Sequence, residues 1–216
     1  MLAAGRALCI GVDAEADAHT FAALASERGF IAPMVLLGEC ATRAAVRARL
    51  DEMAALCEPG DLFLLTFSGH GGRTKLRERA GESQEVGAWQ LYDGSLNDEQ
   101  LKADLARFRQ GVRVLVVSDN CGGGVPSLRP GLLTSSLSSS VLVLAACEDG
   151  RYADGAGLPG HFAAALMRVL KGGAFRGAYR QFHEALCGLM PEYQKPDYYR
   201  LGADDAAFEA QCPFTI

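Results

Sequence analysis

Several signatures that would assign a chain quickly are missing from this one. No apolar stretch approaches the ~20 residues needed to span a bilayer. The opening MLAAGRALCIGV has no charged segment leading into a long apolar run with a cleavage site, so neither a membrane span nor a secretory leader is expected. Basic residues are outnumbered: 21 Lys and Arg against 26 Asp and Glu give a formal net charge of -5. That argues against nucleic acid as a partner, because such surfaces show a basic patch or stripe. The seven cysteines, Cys9, Cys40, Cys57, Cys121, Cys147, Cys187 and Cys212, form no CxxC pair and no Cys/His set with zinc-ligand spacing. No metal site is expected from them. Their odd number and apolar settings suit reduced thiols in a cytoplasmic protein. The phosphate-loop string GxxxxGK[ST] is absent as well, which leaves a nucleotide site a weak alternative.

What remains is a chain of 216 residues, 49% hydrophobic and 22% charged. It is long enough to bury one substantial core, and a single domain over residues 1–216 is expected. Short apolar runs alternate with helical patterns. Strands are expected at Ala7–Val12, Met34–Leu37, Asp61–Phe67, Val112–Ser118, Val141–Ala146 and Tyr198–Leu201. Helices are expected at Ala18–Arg28, from an N-cap at Thr42 to about Cys57, and at Asp98–Arg109, Gly160–Leu170 and Phe175–Leu189. LFLLTF and VRVLVVS are continuously apolar, as in strands covered on both faces. The alternation predicts an α/β fold: a mostly parallel sheet flanked by helices on both faces. Gly71–Gly87 and Gly122–Ser140 read as surface loops.

In an open α/β sheet, sites form beyond the carboxyl ends of the strands. One apolar strand here runs into Ser68-Gly69-His70-Gly71-Gly72, and another into Asp119-Asn120-Cys121-Gly122-Gly123-Gly124. Each puts a reactive side chain among glycines, which allow a sharp turn and a close substrate approach. A cysteine acting as an acyl-transfer nucleophile needs a base to favour the thiolate and donors to hold the oxyanion. His70 can supply the first. The backbone N–H groups of Gly71 and Cys121 are candidates for the second. The bland alternatives are a surface histidine and an inert buried cysteine, and both motifs together favour catalysis.

LFLLTFSGHGG resembles the histidine motif, and VLVVSDNCGGG the cysteine motif, of caspases, metacaspases and bacterial caspase-like peptidases of the orthocaspase type. Trp89–Gly94, VLAACEDGRYADG, GHFAAALMRVL and the endings KPDYYRLG and AFEAQCPFTI are similar to further family segments in the same order. The resemblance implies a caspase-like fold with a mostly parallel six-stranded sheet. It also implies a cysteine endopeptidase with a Cys–His dyad, in which Cys121 is the nucleophile, His70 the acid/base and the Gly71 N–H an oxyanion donor. Metacaspase-like members select Arg or Lys before the cut through an acidic pocket. Asp119 matches one of its acids and Asp154 a second, so the expected partner is a peptide or protein with a basic residue at the cut site. The bland readings are a loop cap for Asp119 and a turn residue for Asp154.

The sequence also departs from the family. The His that usually follows the nucleophile is Gly122 here. The linker from Cys121 to the next strand is short, with Arg129 its only basic residue, which favours an uncut chain. Relatives carry aspartates after the catalytic histidine, where this chain has Arg73, Lys75, Arg77 and Arg79. No cofactor is expected, and this substitution argues against the calcium site of some metacaspases. The same basic segment is a candidate autocleavage loop. Trp89 and Tyr92 are candidates for the substrate groove or, equally, for the core. His19, His161 and His183 read as ordinary helix residues. Two other functions stand beside the peptidase: a silent or latent module that binds partners, and a hydrolase with a non-peptide substrate. Any targeting would come from a separate regulatory partner.

Overall fold

The structure, a computed structural model, describes residues 2–77, 83–121, 137–147, 160–192 and 194–216; at 76, 77, 83, 84 and 121 it describes the backbone alone. The strands are β1 (Gly5–Gly11), β2 (Ile31–Leu37), β3 (Leu62–Arg77), β4 (Ser83–Leu91), β5 (Gly94–Asn97), β6 (Arg113–Cys121), β7 (Ser140–Ala145) and β8 (Asp197–Gly202). Between them lie α1 (Glu15–Glu27), α2 (Arg43–Leu56), α3 (Asp98–Leu105), α4 (His161–Leu170), α5 (Tyr179–Cys187) and α6 (Ala206–Ala210).

The main path of the sheet runs β2-β1-β3-β6-β7-β8. All its pairings are parallel except β7 with β8. β4 pairs antiparallel with the outer half of β3, and β5 with β4, which gives eight strands in place of the expected six. β4 begins within the segment read as a loop, Gly71–Gly87, and β5 follows beyond it. Gly71–Arg77 continues β3 and pairs with Ser83–Trp89. Arg73 and Lys75 therefore lie in a paired ladder, with Arg73 3.4 Å from Glu85. That is a poor setting for the autocleavage the loop reading suggested, because a cut site must be offered as free extended chain. Arg79 lies outside the described residues, as do 122–136 of the second expected loop.

The long apolar strands are buried on both faces, and their alternate residues feed two cores. Leu8, Ile10, Phe63, Leu65, Phe67, Val114 and Val116 pack with Val46, Leu50 and Met53 of α2 and Leu101 and Leu105 of α3. Cys9, Leu62, Leu64, Leu115 and Val117 pack with Phe21 and Leu24 of α1, Phe162 and Leu166 of α4, and Phe182 and Leu186 of α5. Burying each such side chain stabilises the fold by roughly 1.5–3 kcal/mol. The helix ends follow local chemistry. The Thr42 hydroxyl accepts the Ala45 N–H at 3.2 Å to start α2. Asn97 and Gln100 form a reciprocal capping box at α3.

Trp89 belongs to the core and not to a substrate groove. It is fully buried, stacks on Phe67 with ring centroids 4.7 Å apart, and donates its indole N–H to the Ser118 hydroxyl at 2.8 Å. Tyr92, by contrast, is exposed.

Candidate active site

The carboxyl ends of β1 and β6 lie on either side of the middle of β3. In register, Gly11 stands beside Ser68. Ser68 stands beside Asp119, Gly69 beside Asn120, and His70 beside Cys121. The histidine and cysteine motifs, 51 residues apart in the chain, are thus direct neighbours on two central strands, a strand spacing of about 4.8 Å. Gly71 is the next residue of β3, opposite Trp89 of β4. His70 is exposed, and its Nε2 lies 4.0 Å from the Asp13 carboxylate just past β1.

Beneath Cys121 the strand is held by a polar chain. Ser118, which receives the Trp89 N–H, donates its hydroxyl to Asn120 Oδ1 at 3.2 Å, and the Cys147 thiol lies 3.6 Å from the Asn120 carbonyl oxygen. Ser118 and Asn120 are both buried, so their polar atoms need these partners.

Asp119 is 7% exposed and accepts the Ala163 N–H at 3.3 Å, inside the first turn of α4. The N-cap of that helix is Gly160, which has no side chain to offer, and the carboxylate fills the role from a neighbouring strand. Burial pushes the Asp119 carboxyl up to about 7; the negative charge of Asp17 adds to the rise and the Ala163 N–H opposes it. Asp17, on α1, is itself raised by burial. Its carboxylate lies against Gly160, where a Cβ would come within 3.4 Å of it. The buried Ser68 hydroxyl, in register with Asp119, has no hydrogen-bond partner among the described residues. Two carboxyls and one unpaired hydroxyl therefore converge next to the histidine and cysteine strands. Asp17 is the member that sequence reasoning missed; its only signal was a third acid in DAEAD, which reads equally as a helix start. Asp154 lies outside the described residues.

Cys9 and Cys57 are buried, and burial pushes each up to about 11. Cys147 is buried as well, which leaves Cys40, Cys187 and Cys212 with some exposure. Among the described residues no three His, Cys, Asp or Glu side chains are grouped to hold a metal ion. No described helix is long and apolar enough to cross a membrane.

The strand order, the antiparallel last strand and a His–Cys pair in register on two central strands define a caspase-like α/β fold. The caspase-domain family model matches residues 11–207, and the chain belongs to that family, whose members are cysteine peptidases. The crystal structure of protein GSU0716 from Geobacter sulfurreducens is similar over 99% of both chains, with 32% identity and a TM-score of 0.85. Caspase-1 from Spodoptera frugiperda shares the fold at 11% identity and a TM-score of 0.55, over 91% of this chain and 85% of its own. No functionally curated protein matches the chain.

Proposed function

We propose that this protein is a cysteine endopeptidase that hydrolyses peptide bonds through Cys121 and His70 and cuts after Arg or Lys. The observation that carries the reading is the register of β3 and β6, which sets His70 directly beside Cys121. His70 takes the thiol proton, and the thiolate attacks the scissile carbonyl. The backbone N–H groups of Gly71 and Cys121 hold the oxyanion. The imidazolium then gives its proton to the leaving amine, and water, activated by the same imidazole, hydrolyses the thioester. In this reading Asp119, with Asp17 and Ser68 beside it and Asp154 as a further acid, binds the cationic side chain of the substrate. A guanidinium or ammonium there would find two carboxyls and a hydroxyl without a partner among the described residues, in a dry setting where charge-assisted hydrogen bonds are strong.

The test is cleavage of short peptides carrying Arg, Lys or Asp before a fluorogenic leaving group, by the wild type and Cys121→Ala, with and without calcium. Cleavage after Arg or Lys, lost in the variant, is expected in both conditions. Cleavage after Asp alone would keep the dyad and overturn the pocket. A folded protein that cuts no peptide would favour a latent or partner-binding module.

A further inference from the structure

We infer that Asp13 is a positioning residue for His70, so that Asp13, His70 and Cys121 follow one another across three adjacent strands. The inference deepens the peptidase reading and rests on it. Asp13 has φ +58, a left-handed conformation that a non-glycine residue adopts at a cost and that Asp and Asn tolerate best. Strain of this kind is kept where the surroundings impose it, and here they do. The Val12 N–H donates to the Ser68 carbonyl at 3.0 Å, extending the β1–β3 ladder one residue past Gly11. Gly69 lets the two strands close up, since a Cβ there would lie 2.6 Å from the Val12 carbonyl oxygen. The next residue of each strand is then Asp13 on one side and His70 on the other, with Oδ2 4.0 Å from Nε2. On its far side His70 is in register with Cys121.

An Nε2 turned to a carboxylate leaves Nδ1 as the nitrogen that exchanges a proton with the thiol. When that proton arrives, both ring nitrogens carry hydrogen and the ring is a cation. The Nε2–H then points at the Asp13 carboxyl group, which fixes the ring plane. At 4.0 Å, with both side chains exposed, the attraction in the free protein is small. It grows when a bound peptide excludes water, and catalytic contacts commonly tighten at that stage.

The test uses Asp13→Asn and Asp13→Gly in the full chain. Asn keeps the shape and tolerates the left-handed backbone, and Gly removes the strain altogether. If the carboxylate acts on His70, both variants lose about tenfold in kcat with KM held within about twofold, the pattern of an interaction made in the transition state. Alkylation of Cys121 by iodoacetamide slows in parallel, read by peptide mapping against Cys40. Either variant retaining wild-type kcat and alkylation rate overturns the inference. A wild type that cuts no peptide, and whose Cys121 alkylates no faster than Cys40, removes the dyad and Asp13's role with it.

Discussion

Asp119 is the group whose proposed function and stability pull in opposite directions, and replacing it with Asn should separate the two. Its carboxyl moves from an ordinary 3.8 to about 7 in the folded chain, first through burial and then through the charge of Asp17. A raised folded-state value means that the fold prefers the neutral acid. The contribution is fully present below pH 3.8 and is lost progressively as pH climbs toward 7. At about 1.36 kcal/mol per pH unit, complete ionisation costs the fold about 4 kcal/mol. Asp119→Asn keeps an oxygen to accept the Ala163 N–H and removes the ionisation. In a Cys121→Ala background, which prevents self-digestion, urea unfolding at pH 5 and pH 8 should show the variant gaining on the parent by a few kcal/mol at the higher pH. Titrating groups that do not interact with Asp119 are common to both chains and cancel in the difference. The same substitution in the active chain should abolish cleavage after Arg and Lys, because a neutral amide cannot replace a carboxylate as partner to a buried cation. Unfolding differences between the two chains that agree within about 0.5 kcal/mol at both pH values would refute the argument.

Two further substitutions probe how the site is held. Trp89→Ala removes the stack on Phe67 and the donor to Ser118, and should lower unfolding stability by about 3–5 kcal/mol. Because Trp89 is the only tryptophan, the blue-shifted emission of a buried indole in the parent should shift red on unfolding. Gly69→Ala places a methyl against the Val12 carbonyl oxygen, so the ends of β1 and β3 must part. A loss of about 1–3 kcal/mol from overpacking, with a fall in peptide cleavage larger than that of an Ala substitution at exposed Arg73, is expected from melting and rate measurements.

The inner half of this fold is legible because its chemistry is unambiguous. LFLLTF and VRVLVVS have no polar face, and only a strand covered on both sides accommodates them. The motifs that end them sit where open sheets place their chemistry, and the pairing of those ends follows once the strands are neighbours. The outer half is not legible in the same way. Gly71–Arg77 is rich in glycine and charge, both depleted in strands, and its extended form comes from β4 pairing along it. Trp89 fell between two readings because sequence adjacency to the motifs says nothing about depth. Asp13 and Asp17 lie beside a strand end and a helix start that were both expected, yet their proximity to His70 and Asp119 is a matter of register and packing. No spacing along the chain encodes it.

β3 changes partners around His70: its parallel ladder with β1 ends at Ser68 and that with β6 at His70, and an antiparallel ladder with β4 begins at the next residue. The strand therefore divides its tolerance to change at one position. Leu62–Phe67 answer to packing from both faces, and drift there is punished as lost stability. Beyond Gly71 the strand answers to a single neighbour, with Arg73 and Lys75 exposed, and can be rewritten without disturbing the core. A lineage, or an engineer, could remodel what this outer ribbon presents to a substrate while the imidazole stays where the inner sheet anchors it.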